Sequence, residues 1–161
     1  MNTLIRNLVL AGVTALASVG ATAGQAVVTF SHPETYTDFP DMDADRQELF
    51  KKFADHFIKK AAKLPASQEL KVEVLDINLA GELRPGFRFP RDIRIVRGQA
   101  DWPTMRLRYT LTENGQVVKS GEERLSNMAY LQHSHRYYPD DALRYEKKMV
   151  DDWMRERFGV R

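Results

Sequence analysis

The chain has 161 residues, no cysteine and a formal net charge of +2 at pH 7. The lack of cysteine excludes disulfide bonds, thiol catalysis and metal centres held by thiolates. A net charge this close to zero gives the whole chain no attraction to nucleic acid or to a membrane surface, so we expect no nucleic-acid partner.

Residues 1–23 have the organisation of a secretory signal peptide. Arg6 precedes an uncharged apolar run from Leu8 to Val19, which is too short to span a bilayer. Ala21-Thr22-Ala23 then offers small residues at both recognition positions of a cleavage site. The alternative, a buried N-terminal helix, is disfavoured by the glycines and β-branched residues of this segment. We therefore expect export to the periplasm or cell envelope, and a mature chain, residues 24–161, that forms one domain and does not span a membrane.

The first half of the mature chain predicts a strand, a helix and a second strand. Residues 26–30 are short and β-rich. Apolar residues at helical spacing predict a helix from about residue 43 or 45 to Leu64, where Pro65 ends it. Alternation predicts a strand over Leu70–Leu79, and its change of phase near Leu75 indicates a β-bulge or burial of both strand faces.

The second half predicts three more strands. Ile93–Val96 is a short third strand, and Met105–Thr112 alternates apolar and polar residues as a fourth. Asn114-Gly115 then supplies a two-residue hairpin turn, because both residues tolerate positive φ, and Gln116–Leu125 returns as a fifth strand.

A final helix begins near Pro139 and ends before Gly159. Its charged residues at i,i+4 spacing, Asp151 among them, indicate a solvated helix face. The element order is β-α-β-β-β-β-α, and the helical crossover makes the first two strands parallel. We therefore expect an α+β fold: an α/β two-layer sandwich with a mixed, mostly antiparallel sheet and two helices on one face.

Three carboxylates, those of Asp38, Asp76 and Glu82, lie at strand or loop ends, where a suitably spaced pair could perform acid–base catalysis. Structural roles are the alternative, because Asp38 can cap a turn and Asp76 can pair with an arginine. The chain contains no nucleophile elbow, phosphate loop or His-Glu-x-x-His motif, and the sequence predicts no cofactor.

His133 and His135 point the same way if their segment is extended, and with His32 they could bind zinc. Their spacing matches no named zinc motif, and a polar surface loop is the alternative. We expect the purified protein to carry no stoichiometric zinc.

Arginines dominate the segment from residue 84 to 108, where they outnumber the two aspartates. The set comprises Arg84, Arg88, Arg91, Arg94, Arg97, Arg106 and Arg108, with Trp102 among them. If the helices cover one sheet face, Arg94, Arg106 and Arg108 should point outward from the other. Such a face could hold an anionic envelope component or an acidic protein. The alternative is that these arginines pair with carboxylates across strands.

Counting back from the hairpin turn places Glu123 opposite Arg106. A bulge at Ser120-Gly121 would instead give that position to Glu122. In either register Arg94 and Arg108 have no assigned partner, so we predict that these two, with Trp102, form the ligand-binding surface.

Four blocks of this chain resemble a known family. They are Val27–Phe30 with Pro33–Asp38, the block Asp76–Glu82, Trp102-Pro103 with the following strand, and Leu143–Lys147 with Trp153. Together they resemble the exported bacterial proteins catalogued as domain of unknown function 3016. The resemblance implies export and a domain that spans nearly the whole mature chain. It implies no activity, since the family has none assigned.

Two functions follow from these observations. The first is a non-enzymatic binding or accessory module of the cell envelope with an arginine-rich sheet face. The alternative is a small exported hydrolase that uses Asp38, Asp76 or Glu82, with His133 and His135 as further candidates. A cleft that gathers the carboxylates would favour the hydrolase, and an open charged sheet would favour the module.

Overall fold

The computed structural model describes residues 24–37, 39, 43–84, 93–133 and 141–160. The predicted signal peptide, Asp38 and His135 lie outside these ranges. The strands are β1 (Gln25–Phe30), β2 (Gln68–Asn78), β3 (Glu82–Arg84), β4 (Ile93–Ile95), β5 (Thr104–Glu113) and β6 (Gln116–Ser126). The helices are α1 (Asp43–Ala61), α2 (Tyr130–His133) and α3 (Arg144–Phe158).

The main sheet has four strands in the order β1-β2-β5-β6. β1 and β2 are parallel, and the other two pairs are antiparallel, which confirms the predicted mixed sheet. The α+β fold is also confirmed, with α1 and α3 packed through one core against the sheet. That core is formed by alternate residues of the strands and the apolar stripes of the helices, including Val72, Leu107, Phe53, Phe57 and Met154.

Two β-bulges set which side chains face the helices. The register shifts between Val74 and Asp76, which confirms the bulge predicted near Leu75. A second shift lies between Leu111 and Thr112, because Thr112 pairs with Val117 while Leu111 pairs with Lys119. The extra residue is therefore Val118, so the bulge does not lie at Ser120-Gly121.

The third predicted strand does not join the main sheet. It is β4, which pairs antiparallel with β3 in a separate two-stranded sheet. Gly81 redirects the chain after β2: it has φ of 73°, and a Cβ there would lie 2.0 Å from the Ile95 carbonyl oxygen. Only glycine combines that conformation with so close a backbone approach.

The last helix starts later than predicted. It begins at Arg144, after a turn in which the Asp141 carboxylate accepts a hydrogen bond from the backbone N–H of Leu143. Gly159 ends the helix in the left-handed conformation, as predicted. The expected solvated face is only partly correct, since Lys148 pairs with Asp152 but Asp151 is buried.

Candidate functional site

The main sheet has one face away from α1 and α3, which we call the open face. Within the described residues it carries four basic and four acidic side chains on β2, β5 and β6. They are Lys71, Arg106, Arg108 and Arg124, and Glu69, Glu73, Asp76 and Glu122. The open face is therefore charge-balanced and alternating, and not the uniformly basic surface that the arginine count predicts.

Arg108 lies on the open face but is not free. Its guanidinium donates to Glu73 at 2.8 Å and to Glu122 at 3.1 Å. Glu73 also accepts a hydrogen bond from the Ser31 hydroxyl, and this bond, with Arg108, lowers the pKa of the carboxyl. The prediction that Arg108 has no partner is wrong, because the bulge at Val118 brings Glu122 opposite it.

Arg106 and Arg124 lie directly opposite each other on β5 and β6. The nearest carboxylate oxygen to Arg106 is on Glu122, at 4.0 Å, beyond hydrogen-bond range. Arg124 has no ion pair or hydrogen bond with any residue the structure describes. Like charges directly opposite across a sheet are destabilising, so this pair stands out against its balanced surroundings.

Arg94 is buried, which corrects its predicted place on the outer face of the main sheet. It belongs to β4, and only 2% of its side chain is exposed. Its guanidinium donates two hydrogen bonds to the buried Glu146 carboxylate, at 2.5 and 2.9 Å, and others to the carbonyls of Ala80 and Ala142. Glu146 in turn accepts from the Ala80 N–H. The ion pair thus joins β4 to α3, and the hydrogen bonds of Ala80 tie the segment after β2 to both.

Trp102, the third predicted ligand-binding residue, is partly buried. It packs beside Ala80, Tyr130 and Tyr145 in a small second cluster. Its ring therefore helps to hold the two-stranded sheet near α3, and its proposed part in ligand binding stays a prediction.

The predicted catalytic carboxylates are not seen together. Asp76 lies on the open face, in register with Arg106, whereas Glu82 begins β3 in the second sheet. Among the predicted zinc ligands, His32 is exposed beside Glu34, and His133 ends α2. The described ranges contain no group of three or more His, Asp or Glu side chains arranged to hold a metal ion.

A buried polar cluster between α1 and α3 was not predicted. His56 Nε2 lies 2.7 Å from one carboxylate oxygen of Asp151, and Lys60 Nζ lies 2.8 Å from the other. Burial raises the pKa of Asp151, but the hydrogen bonds from His56 and Lys60 outweigh it and hold the pKa below its ordinary value. Because Asp151 is then a carboxylate and cannot donate, the Nε2–H of His56 is the donor in this bond.

Helical spacing contains the information that locates this cluster. His56 and Lys60 follow Phe53 and Phe57 by three residues each, so they fall on the buried stripe of α1. Asp151 precedes the buried Met154 by three residues on α3. The phase of these polar residues indicates burial, which the i,i+4 charge pattern that places Asp151 on a solvated face does not reveal.

Among the helices of the described ranges, none combines the length and hydrophobicity needed to cross a membrane. No curated protein and no solved structure matches this chain. A family model described as "Protein of unknown function (DUF3016)" matches residues 24–156, which is most of the chain and includes both sheets and nearly all of α3. The chain therefore belongs to the DUF3016 family.

Proposed function

We propose that this protein is a non-enzymatic binding or accessory module of the bacterial cell envelope, and that its open face holds an anionic group of a partner. The observation that carries the proposal is the Arg106–Arg124 pair. Two guanidinium groups placed opposite each other without a bridging carboxylate can hold one carboxylate or phosphate between them, as charge-assisted hydrogen bonds.

The surroundings of the pair narrow the kind of partner. Thr104 and Ser126 pair in the next row of the sheet and add hydroxyl groups beside the two arginines. On the other side, Glu73 and Glu122 flank Arg108 and repel an extended polyanion. This pattern favours a partner with one localised anionic group, such as an acidic protein or an envelope component, over nucleic acid.

Export is part of the proposal. The uncharged apolar run and the small residues at positions 21 and 23 support a cleaved leader. The family match begins at residue 24, directly after the proposed cleavage site. The hydrolase alternative has less support, because Asp76 and Glu82 belong to different sheets.

Site-specific photocrosslinking in living cells tests the binding face. A photoreactive amino acid at exposed Ser126 should capture a partner in the envelope fraction, whereas the same amino acid at exposed Ile58 on α1 should not. Replacing both arginines, Arg106→Gln with Arg124→Gln, should abolish the adduct because it removes both donors.

The matched control removes the same charge elsewhere. Lys51→Gln with Arg155→Gln changes two exposed cations on the helices and should leave the Ser126 adduct intact. An adduct that survives loss of Arg106 and Arg124, or one formed equally well from position 58, would show that the open face is not the binding surface.

A further inference from the structure

A hollow of about 280 Å³ lies in the helical layer, on the opposite side of the main sheet from the open face. It is bordered by α1 and by the segment that leads into α3. Its lining comprises Lys52, Asp55, His56, Lys59, Asp141 and Lys147. Sites for drug-sized ligands have volumes from roughly 300 Å³ upward, and a phosphate group is much smaller than such ligands. The hollow therefore has room for a phosphate group or a small phosphate ester.

His56 gives this hollow a ring nitrogen that has no hydrogen-bond partner among the described residues. The residue is only 8% exposed, and its Nε2 is taken by Asp151. Its other nitrogen, Nδ1, has no hydrogen-bond partner among the described residues. Nδ1 is also not sealed from solvent, because Asn78 Oδ1 is the only enclosed side-chain atom without a partner in the described part of the chain. Because His56 lines the hollow, a ligand there lies beside its ring.

Basic groups outnumber carboxylates around the hollow. Lys147 pairs with Asp141 at 2.5 Å, and Lys52 pairs with Glu48 at 2.6 Å, so these charges are largely balanced. Lys59 is exposed and has no ion pair within the described residues. The uncompensated charge at the rim of the hollow is thus positive.

We propose that this hollow binds a phosphate group, with His56 as the donor at its floor and Lys59 as the cation at its rim. An imidazolium ring donates from both nitrogens, so Nε2–H stays bonded to Asp151 while Nδ1–H donates to a phosphate oxygen. Lys60 pairs with the other carboxylate oxygen of Asp151.

Titration calorimetry at pH 7 tests the proposal. The sample is the protein purified from cells that express the full sequence. Inorganic phosphate and glycerol 3-phosphate are the two ligands, and they separate a site for free phosphate from a site for its esters. Absence of saturable binding by both ligands would overturn the proposal.

Three variants locate the site. His56→Gln should weaken phosphate binding about tenfold or more, since a charge-assisted hydrogen bond is lost. Lys59→Gln should weaken binding roughly two- to fivefold, as expected for one exposed ion pair. His32→Gln, which alters an exposed histidine, should change nothing.

Unchanged binding by His56→Gln would also overturn the proposal. Circular dichroism establishes whether this variant is folded. If it is not, Lys59→Gln decides, because Lys59 is exposed and its loss does not disturb the core. Full-strength phosphate binding by that variant would then exclude this hollow as the site.

Discussion

Two arginines that the sequence presents as equivalent behave in opposite ways in the structure. Arg94 is enclosed, bonded to Glu146 and to two backbone carbonyls. Arg108 lies on the open face between two carboxylates, with 55% of its side chain exposed. Arg108 pairs with two carboxylates and Arg94 with one, so a count of ion pairs does not identify the arginine that contributes more to stability.

Solvent exposure is the difference that matters. An exposed ion pair is screened by water and salt, and each long side chain loses conformational freedom in forming it. A buried pair has already lost its hydration, so removal of one partner leaves the other as an uncompensated charge. We therefore expect the same loss of an arginine to have very different effects at the two positions.

The largest effect is expected from Arg94→Met. This change leaves the Glu146 carboxylate buried with the Ala80 N–H as its one remaining partner among the described residues, and it should lower the free energy of unfolding by about 3–5 kcal/mol. Urea denaturation at pH 7 measures the loss. Arg97→Met, which alters a nearby exposed arginine, is the control and should change stability little.

A double variant shows whether the charge or the packing causes that loss. Arg94→Met with Glu146→Leu removes both charges and should recover much of the stability, because apolar side chains often replace a buried ion pair without cost. If Arg94→Met alone lowers the free energy of unfolding by less than about 1 kcal/mol, burial does not explain the difference between Arg94 and Arg108.

An intermediate effect is expected from Asp151→Asn in the cluster with His56 and Lys60. Since the folded-state pKa of Asp151 lies below its ordinary value of 3.8, its stabilisation is fully present above that value. It is lost as the pH falls through the folded pKa. Asp151→Asn should cost about 1.5–3 kcal/mol at pH 7, the range for hydrogen bonds to a charged group.

Urea denaturation of both proteins from pH 7 down to pH 3 tests this prediction by measuring their free energies of unfolding. The difference between the native protein and Asp151→Asn should narrow as the pH falls below about 3.8. A difference that is constant over the whole range would mean that the carboxylate charge does not stabilise the helix pair.

The smallest effect is expected from Arg108→Gln. Burial does not strengthen its bonds to Glu73 and Glu122, so the loss of stability should be slight in dilute buffer and vanish in concentrated salt. Thermal unfolding at both salt concentrations is the measurement. A loss that persists in concentrated salt would mean that Arg108 stabilises the sheet by packing rather than by charge.

Local patterns predicted most of the fold. Alternation on β2 located both the strand and its bulge, and Asn114-Gly115 located the hairpin turn, where both residues have positive φ. These features depend on a few neighbouring residues, which is why the sequence contains them. The bulge at Val118 was missed, because β6 is exposed on both sides there and has no apolar alternation whose phase could change.

The candidate site was less predictable because its contacts are long-range. Arg94 and Glu146 are 52 residues apart, and His56 and Asp151 are 95 apart. No local pattern links such pairs. The arginine-rich face was predicted in outline. One extra residue in β6 altered every pairing beyond it, so Arg106 and Arg124, and not Arg94 and Arg108, are its weakly paired members within the described residues.

The extra residue in β6 also makes the two parts of that strand unequal toward insertion and deletion. Loss of Val118 would leave Thr112 beside Val117 and Leu111 beside Lys119, and would simply close the ladder. Loss of one residue farther along the strand would invert every later side chain, so that Leu125 faces solvent and Arg124 enters the core. Evolution can therefore shorten this hairpin near its tip, whereas a single deletion near its base turns buried side chains toward solvent and exposed side chains toward the core.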